Sequence, residues 1–310
     1  MFGNKVELIT TILFFSGATI IIILERIFPY RKGIKFFRKG FWLDFVWYSL
    51  IQSYLLKILI FDFIIYPVDQ HFALSRLQLV TAWPIALQVL FFFITHDLYI
   101  YWFHRLQHNS KIFWRTHEAH HSCKEVDWVA GSRSHSLEIL INQTIEFAPI
   151  ILLGANPVIV PIKALIDAVW GMYIHSNINV KSGKWQYIIN GPEMHQWHHA
   201  NDRTVFYKNY ATKLAIWDWL FGTAYLPKKE KPSDYGLYYD YPDDYLLQHA
   251  FAFWRFNFRK LYENPTINYV LQIRQNLIKT ISKLFSKTGS DTGVKESKLI
   301  LPETQRYKRA

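Results

Sequence analysis

Histidine is concentrated in three short boxes of this sequence. The boxes are His104-Arg-Leu-Gln-His108, His117-Glu-Ala-His120-His121 and His195-Gln-Trp-His198-His199. They hold eight of the 13 histidines in the chain. Positions i, i+3 and i+4 of a helix share one face, so each helical box would direct two or three imidazoles towards one point.

Imidazoles clustered in this way predict the binding of a transition metal. Imidazole is a suitable ligand for Fe, Zn, Cu and Ni. A tetrahedral site uses about four protein ligands, so eight converging imidazoles favour two metal ions over one. A single HxxxH pair often packs in a core or faces solvent, but three boxes in one chain indicate a dedicated site. Cys123, directly after the second box, could be a thiolate ligand or a small buried residue.

The boxes and their surroundings resemble the fatty acid hydroxylase superfamily, also called the sterol desaturase family, of membrane di-iron enzymes. The matching stretches are Asp97-x-x-x-Tyr101-Trp102-x-His104-Arg105-x-x-His108, Arg133-x-His135-x-x-Glu138, His175-Ser-Asn177, Asn209-Tyr210 and Trp217-Asp218-x-x-Phe221-Gly222-Thr223. The resemblance covers roughly residues 90–226. Ser136 stands where that family usually has a proline, and Gly171 where some relatives have a further histidine.

This resemblance implies a di-iron centre that activates O₂ and attacks a C–H bond of a lipid, by hydroxylation or desaturation. The implied metal ligands are His104, His108, His117, His120, His121, His175, His195, His198 and His199, with His135 as a tenth candidate. No GxGxxG fingerprint for a dinucleotide follows a strand in the sequence. Electrons are therefore expected from a separate donor, a cytochrome b5-like or ferredoxin-like protein with its reductase.

Carboxylates near the boxes are expected to orient imidazoles and to offset the charge of the metals. The spacing leaves six carboxylates near the boxes open for this role, namely Asp97, Glu118, Asp127, Glu138, Glu193 and Asp202. Asp97 and Glu138 are the candidates for catalysis. Asp97 precedes His104 by about two helical turns and shares its face, so we expect it to accept an imidazole N–H. Its alternative partner is Arg105. His249 matches no motif and is predicted to lie on the surface.

The composition and the apolar runs predict a membrane protein. Hydrophobic residues make up 51% of the chain and aromatic residues 18%, which suits a bilayer with aromatic side chains at its interfaces. Residues 6–24, 42–67 and 79–103 are predicted to span the membrane. Two shorter runs, 139–153 and 155–174, are broken by Gly154-Ala-Asn-Pro157 and predict a helical hairpin that dips into the membrane.

The predicted fold is an all-α integral membrane protein with about three transmembrane helices, a helical membrane hairpin and a cytoplasmic helical cap carrying the histidine-rich dimetal site. The predicted parts are N-terminal transmembrane helices at 1–90, a catalytic domain at 91–226, a cap with an amphipathic helix at 227–286, and a disordered basic tail at 287–310. Five basic residues within 30–40 place that loop in the cytoplasm by the positive-inside rule. The metal site is then expected on the cytoplasmic side of a bacterial inner membrane or the endoplasmic reticulum.

Charge and chemistry leave two alternatives to a lipid oxygenase. The net charge of +11 suits an anionic membrane surface, and no nucleic-acid motif accompanies it. One alternative keeps the metal site but makes the protein a zinc-dependent membrane hydrolase. The other is a non-catalytic membrane protein that only binds metal.

Overall fold

The computed structural model describes residues 2–227 and 230–254, and five helical positions beyond them. Those positions are Tyr269, Gln272, Ile273, Asn276 and Lys279. Met1–Arg255 is one compact unit and Phe256–Ala310 a second. The predicted amphipathic helix at 267–285 falls mostly outside the described residues, and the predicted tail at 287–310 falls entirely outside them. The predicted domain boundaries stay predictions.

In residues 2–227 and 230–254 the chain is helical, and its β-structure is limited to two isolated bridges. The helices are α1 (Phe2–Ile27), α2 (Leu43–Phe72), α3 (Ile85–Asn109), α4 (Lys111–His121), α5 (Ser136–Leu152), α6 (Ile159–His175), α7 (Pro192–His198), α8 (Ile216–Leu220) and α9 (Tyr245–Trp254). Helix α2 includes two π-helical stretches, Leu43–Gln52 and Phe61–Ile65. A 3-10 turn at Gly183–Tyr187 precedes α7.

Three helices are long and apolar enough to cross a membrane. They comprise Lys5–Ile27, Leu43–Phe72 and Ile85–Asn109. Of the 18 consecutive residues that form the apolar stretch of each helix, 11% are buried inside the protein in the first helix and 28% in each of the other two. Such exposed apolar helices suit a lipid environment, where backbone groups must be satisfied within the helix. Three span-length helices are present as predicted, while the number of membrane passes and the side on which the boxes lie stay predictions.

Helices α5 and α6, of 17 residues each, form the predicted hairpin. Gly154 in the connecting turn has φ +69°, and a Cβ there would lie 2.6 Å from the carbonyl oxygen of Ser75. Only glycine combines this backbone conformation with so close an approach. The hairpin starts beside the second histidine box and returns to end at His175, so it brings that residue back to the boxes.

Two kinds of contact hold the ends of the hairpin in place. Helix α1 packs along α6, and Gly17 lets the two approach because a Cβ there would already lie 3.3 Å from the Val169 side chain. The chain leaving α1 then pairs with the chain leaving α6: Tyr30 N donates to Asn177 O at 2.7 Å, and Asn179 N to Phe28 O at 2.7 Å. These bonds fix the position of His175, two residues before Asn177.

The apolar core lies among α2, α3, α5 and α6, and the polar elements gather at one end of it. Core side chains include Ile60, Phe92, Ile150 and Ile159, each at most 3% exposed. Helices α4 and α7 lie where α3 ends and α5 begins. Pro192 opens α7 at a position where its missing N–H costs nothing. This end carries all three boxes.

Candidate metal centre

Nine histidines from four helices converge into two buried groups. The five-histidine group consists of His104, His108, His117, His121 and His198. The four-histidine group consists of His120, His175, His195 and His199. Within each group one ring nitrogen from every residue lies within 4.8 Å of the others. The nine are the ligand set that the family resemblance implies, without His135.

Each HxxHH box is divided between the two groups. In α4, His117 and His121 join the five-histidine group, and His120 joins the other. In the third box the division is reversed, because His195 and His199 join the four-histidine group and His198 the five-histidine group. Positions i, i+3 and i+4 share one face of a helix, but i+3 and i+4 are consecutive residues and lie about 100° apart around its axis. One box can therefore serve two sites.

Backbone carbonyls fix the tautomer of several of these imidazoles. The Nδ1 atom of His104 lies 2.7 Å from Tyr210 O, that of His120 3.1 Å from Arg133 O, and that of His175 2.7 Å from Gly171 O. The Nδ1 atom of His198 likewise lies 2.9 Å from Lys208 O. A carbonyl oxygen can only accept a hydrogen bond, so Nδ1 carries the proton in each ring. The Nε2 lone pair of each ring is then free.

These free lone pairs point at one another. The Nε2 atoms of His120 and His175 are 3.2 Å apart, although neither carries a proton. No hydrogen bond can form between them, and two lone pairs at this distance repel. The buried Nε2 atoms of His108 and His198 have no hydrogen-bond partner. A cation between the rings would turn these contacts into ligation, so the side chains present fit a metal ion in each group.

Burial also keeps the site in the form that binds metal. It is the main cause that holds the pKa of His117, His121 and His199 well below the ordinary value, and neighbouring imidazoles lower it further. The pKa of His120 falls to about 4. These rings are consequently neutral near pH 7, and a metal does not have to displace a proton from them.

Glu138 was predicted to orient an imidazole, and its carboxyl group contacts His117, a member of the five-histidine group. Its Oε1 atom accepts a hydrogen bond from His117 Nδ1 at 3.0 Å. Burial raises the pKa of Glu138 in the metal-free chain to about 8, and a cation bound by His117 would favour its charged carboxylate form. A carboxylate behind a histidine ligand fixes the ring and increases its basicity towards the metal.

Asp97 was expected to orient an imidazole or to pair with Arg105, and the structure gives it other partners. Its carboxylate accepts from the backbone N–H groups of Lys213 at 3.1 Å and Leu214 at 3.0 Å, and from Trp217 Nε1 at 2.9 Å. The helical repeat had placed Asp97 on the His104 face but could not show that the 210–217 loop covers it. Asp97 therefore contacts the chain at residues 213–217 rather than an imidazole.

Asp218 holds the same loop from its other end, and sequence reasoning had given it no role beyond a motif match. It accepts from Tyr210 N at 2.8 Å and from Ala211 N at 2.9 Å. Since Tyr210 O receives the His104 Nδ1–H, the two aspartates set the position of an acceptor for a metal-ligand candidate. We call residues 208–215 the clamp loop.

His135 and His249 lie together outside both histidine groups. His135 accepts from Leu137 N at 3.0 Å and so caps the first turn of α5, and its ring centroid lies 4.4 Å from that of His249. The structure thus does not bring the tenth candidate to the site. The surface position predicted for His249 is wrong, because it is half-buried and its Nε2 accepts from Ser136 N at 3.0 Å. That contact joins residues far apart in sequence.

A buried ionic network beneath the second box was also missed. Arg133 Nε donates to Asp44 Oδ1 at 2.6 Å, and Arg38 Nη2 donates to Asp44 Oδ2 and Asp127 Oδ1, both at 2.7 Å. Arg133 O is the acceptor for His120. The network therefore ties the basic loop and the start of α2 to the four-histidine group. Its members were visible only as scattered charges in the sequence.

Cys123 packs beside this network and is not among the grouped ligands. Its Sγ lies 4.0 Å from Asp44 Oδ2, and burial raises its pKa to about 11. The protonated, buried thiol matches the second of the two roles considered for it, a small buried residue.

A third polar cluster lies deeper, between α3, α5 and α6, and contains its own cation. Lys163 Nζ donates to Glu146 Oε1 and to His96 Nδ1, each at 3.0 Å, and also contacts Asp167. Lys213 Nζ, from the clamp loop, lies 3.1 Å from Asp167 Oδ1. His96, Glu146 and Asp167 could form a metal site by their distances, but the Lys163 ammonium occupies the position of an ion. We call these five residues the lysine cluster.

Comparison with known proteins places the site in a family. A family model described as fatty acid hydroxylase matches residues 89–223. The ornithine lipid hydroxylase of Rhizobium tropici is 30% identical over 194 residues, which is 62% of this chain and 58% of that protein. Human alkylglycerol monooxygenase is 32% identical over 131 residues, 42% of this chain and 29% of the relative.

Methylsterol monooxygenase 1 of Rattus norvegicus is 29% identical over 145 residues, 44% of this chain and 48% of the relative. The chain thus spans less than two thirds of the length of these curated relatives. No solved structure matches the chain. The predicted family resemblance is confirmed for residues 89–223, which form a fatty acid hydroxylase domain.

Proposed function

We propose that this protein is a membrane-bound di-iron oxygenase that uses O₂ and two electrons to hydroxylate or desaturate a C–H bond of a lipid. The observation that carries the proposal is the pair of histidine groups, whose free ring nitrogens converge at one end of three helices long enough to cross a membrane. Imidazole-rich sites of this size on a membrane protein suit iron better than a zinc hydrolase, which needs three ligands and an open position.

The nine grouped histidines would hold two iron ions, one in each group. Iron in this setting supplies O₂ activation and abstraction of hydrogen from an unactivated carbon. The protein's own part is to aim the ligands and keep water away. Tyr210 O and Lys208 O hold the rings of His104 and His198 in the ligating tautomer, and Glu138 does the same for His117. Eight of the nine side chains are buried, which excludes bulk water from the site.

A lipid is the proposed substrate because of the location of the site and the names of the relatives. The three relatives compared above are named for hydroxylation or monooxygenation of an ornithine lipid, an alkylglycerol and a methylsterol. Their common feature is a hydrophobic substrate dissolved in a membrane. The span-length helices would present such a substrate to the histidine groups from the bilayer. A separate donor, cytochrome b5-like or ferredoxin-like, would deliver the electrons.

The test is metal analysis followed by turnover in labelled dioxygen. Protein purified from iron-replete cells should hold about two iron ions per chain. Membranes containing it, supplied with an electron donor, should place ¹⁸O from labelled O₂ into a hydroxylated lipid or form a double bond in an O₂-dependent way. Lipid hydrolysis without O₂ by a zinc-loaded protein would replace the proposal with the hydrolase. Metal binding without turnover on any membrane lipid would leave a metal-binding protein.

A further inference from the structure

A set of large apolar side chains is exposed outside the span-length helices. It lies on two short elements, the 3-10 turn Gly183–Tyr187 with the residue after it, and α8. Trp185 and Leu220 are each 66% exposed, and Tyr187 is 56% exposed. Ile188, Ile216 and Trp219 are exposed as well. Isolated exposed apolar residues are ordinary, but a contiguous patch of them marks an interaction site.

Direct contacts join the two elements into one surface. The indole Nε1 of Trp219 donates to the carbonyl oxygen of Gln186 at 2.9 Å. The ring centroids of Tyr187 and Trp219 are 4.7 Å apart. The apolar residues of both elements therefore form a single patch rather than two separate ones. We call residues 183–188 and 216–221 the interfacial foot.

The foot continues into the outer surface of α3, the third span-length helix. The Phe221 ring, directly after α8, lies 4.9 Å from the ring of Trp102. Trp102 is itself 47% exposed, and so is Leu106 one turn later at 44%. Both lie in the last turns of Ile85–Asn109. The exposed surface of α3 is therefore continuous with that of the foot at Trp102.

We propose that the interfacial foot inserts into the headgroup layer of the bilayer, on the side where α3 ends. Tryptophan and tyrosine are enriched at this depth because their rings are apolar with one polar group. The short elements cannot cross a bilayer, but apolar side chains on one face suit a position in its plane. Lys181 and Lys184 are exposed beside Trp185, where lipid phosphates would pair with them.

The foot would fix the height of the histidine site above the membrane. Residue 188 is followed within four residues by α7, which carries the third box. Asp218, in α8, holds the clamp loop whose Tyr210 carbonyl orients His104. Insertion of the foot would therefore keep α7 and the clamp loop against the headgroup layer. This inference concerns membrane position and does not depend on the chemistry proposed for the site.

Fluorescent labels on the full chain in lipid vesicles test the foot. Trp185→Cys and Leu220→Cys are each labelled with an environment-sensitive dye, and quenching is measured with lipids that carry a nitroxide near the headgroup or near the end of the tail. Cys123 is buried, so the unchanged protein gives the labelling background. Leu90→Cys in α3 marks the apolar interior, and Asp202→Cys marks an exposed site outside the foot.

Labels at 185 and 220 should be quenched several-fold more by the headgroup nitroxide than the label at 202, which should respond to aqueous iodide instead. Equal iodide quenching at 185, 202 and 220 would overturn the proposal. A second result would also overturn it: the labels are shielded from both lipid nitroxide and iodide, and Leu220→Cys forms cross-links between chains. The patch would then be covered by a second copy of the protein. Tyr187→Cys and Ile216→Cys repeat the measurement if either first variant does not fold.

Discussion

Four of the grouped imidazoles use Nδ1 to bind a backbone carbonyl, which leaves Nε2 without a proton; they are His104, His120, His175 and His198. For His120 and His175 the protein-bound nitrogen is Nδ1, and the two Nε2 lone pairs meet at 3.2 Å. Such an arrangement is unfavourable unless a cation lies between the rings. The metal-free chain therefore stores repulsion at these contacts, and metal binding should stabilise the fold as well as supply chemistry.

Removing one ligand from the third box should abolish turnover without preventing membrane insertion. In His198→Ala the five-histidine group loses one imidazole, and four ring nitrogens remain to retain some metal. O₂ activation needs both ions correctly held, so O₂-dependent lipid oxidation should fall below detection. Incorporation of ¹⁸O into lipid and iron content per chain are the two measurements.

The matched control for this variant is His71→Ala. His71 is an exposed histidine in α2 outside all three boxes, so activity should equal that of the parent. His249 is unsuitable because it accepts from the N-terminus of α5, whose first turn carries Glu138. Turnover near the parent level in His198→Ala would remove the third box from the catalytic site.

Replacing Glu138 by glutamine should weaken metal binding. The amide keeps the shape of the side chain but loses the charge that His117 Nδ1–H meets at 3.0 Å. Loss of such a partner behind a metal ligand typically costs roughly 10–100-fold in metal affinity or activity. Competition with a chelator measures the affinity, and Glu125→Gln, at a glutamate outside the site, is the control. Equal metal retention in both variants would show that Glu138 does not support the ligand.

At the scale of elements, the clamp loop is held by two buried carboxylates. Asp218→Asn replaces one of the two carboxylate oxygens by an amide nitrogen, which cannot accept a hydrogen bond. Either Tyr210 N or Ala211 N then loses its acceptor. Hydrogen bonds to charged groups contribute about 1.5–3 kcal/mol each. We expect a lower melting temperature and, since Tyr210 O is displaced from His104, a lower iron content.

An exposed aspartate separates this effect from a simple change of charge. Asp202 accepts from Thr204 N at 2.9 Å in an exposed turn, so Asp202→Asn should change neither the melting temperature nor the iron content. If Asp218→Asn lowered the melting temperature but left the iron content intact, the clamp loop would stabilise the fold without positioning His104.

The lysine cluster joins three helices through one ammonium group. Lys163 on α6 binds Glu146 on α5 and His96 on α3, and it is 1% exposed. Lys163→Met would leave the buried Glu146 without its cation, whereas Asp167 would keep the Lys213 ammonium at 3.1 Å. Breaking a buried ion pair in this way costs on the order of 3–5 kcal/mol. Thermal unfolding in detergent should show a large loss of stability.

Two further variants make this prediction specific. Lys57→Met, at an exposed lysine of α2, should leave the melting temperature unchanged. Combining Lys163→Met with Glu146→Gln removes the uncompensated charge and should restore much of the loss. A Lys163→Met protein as stable as the parent would mean that the cluster does not hold the helices together.

For the whole molecule, the sequence predicted the features that depend on local residue patterns. It did not predict the contacts between residues far apart in the chain. Apolar runs identified the candidate spans and the hairpin, and box spacing identified eight of the nine grouped histidines, because both signals lie within single helices. His175 lies outside the boxes and was expected only from the family resemblance. The partners of Asp97 lie more than a hundred residues away. The same is true of the contact between Ser136 and His249. Helical periodicity does not indicate which loop packs against a given carboxylate.

The last prediction concerns the side of the membrane on which the site lies. The loop at 30–40 carries five basic residues, and the loop between α2 and α3 carries only Arg76. The positive-inside rule places the first loop in the cytoplasm. Arg38 of that loop belongs to the ionic network under the second box, so the loop and the histidine groups must lie on the same side. The N-terminus of α1 would then lie outside.

Single cysteines introduced into the two loops test this arrangement. Lys35 and Arg76 are exposed, whereas the native Cys123 is buried. In sealed vesicles whose cytoplasmic face is inward, an impermeant thiol reagent should label Arg76→Cys and leave Lys35→Cys unmodified. Inverted vesicles should give the opposite pattern. Labelling of Lys35→Cys from the outer face would move the histidine groups, through Arg38 and Asp127, to the non-cytoplasmic side and exclude a cytoplasmic electron donor.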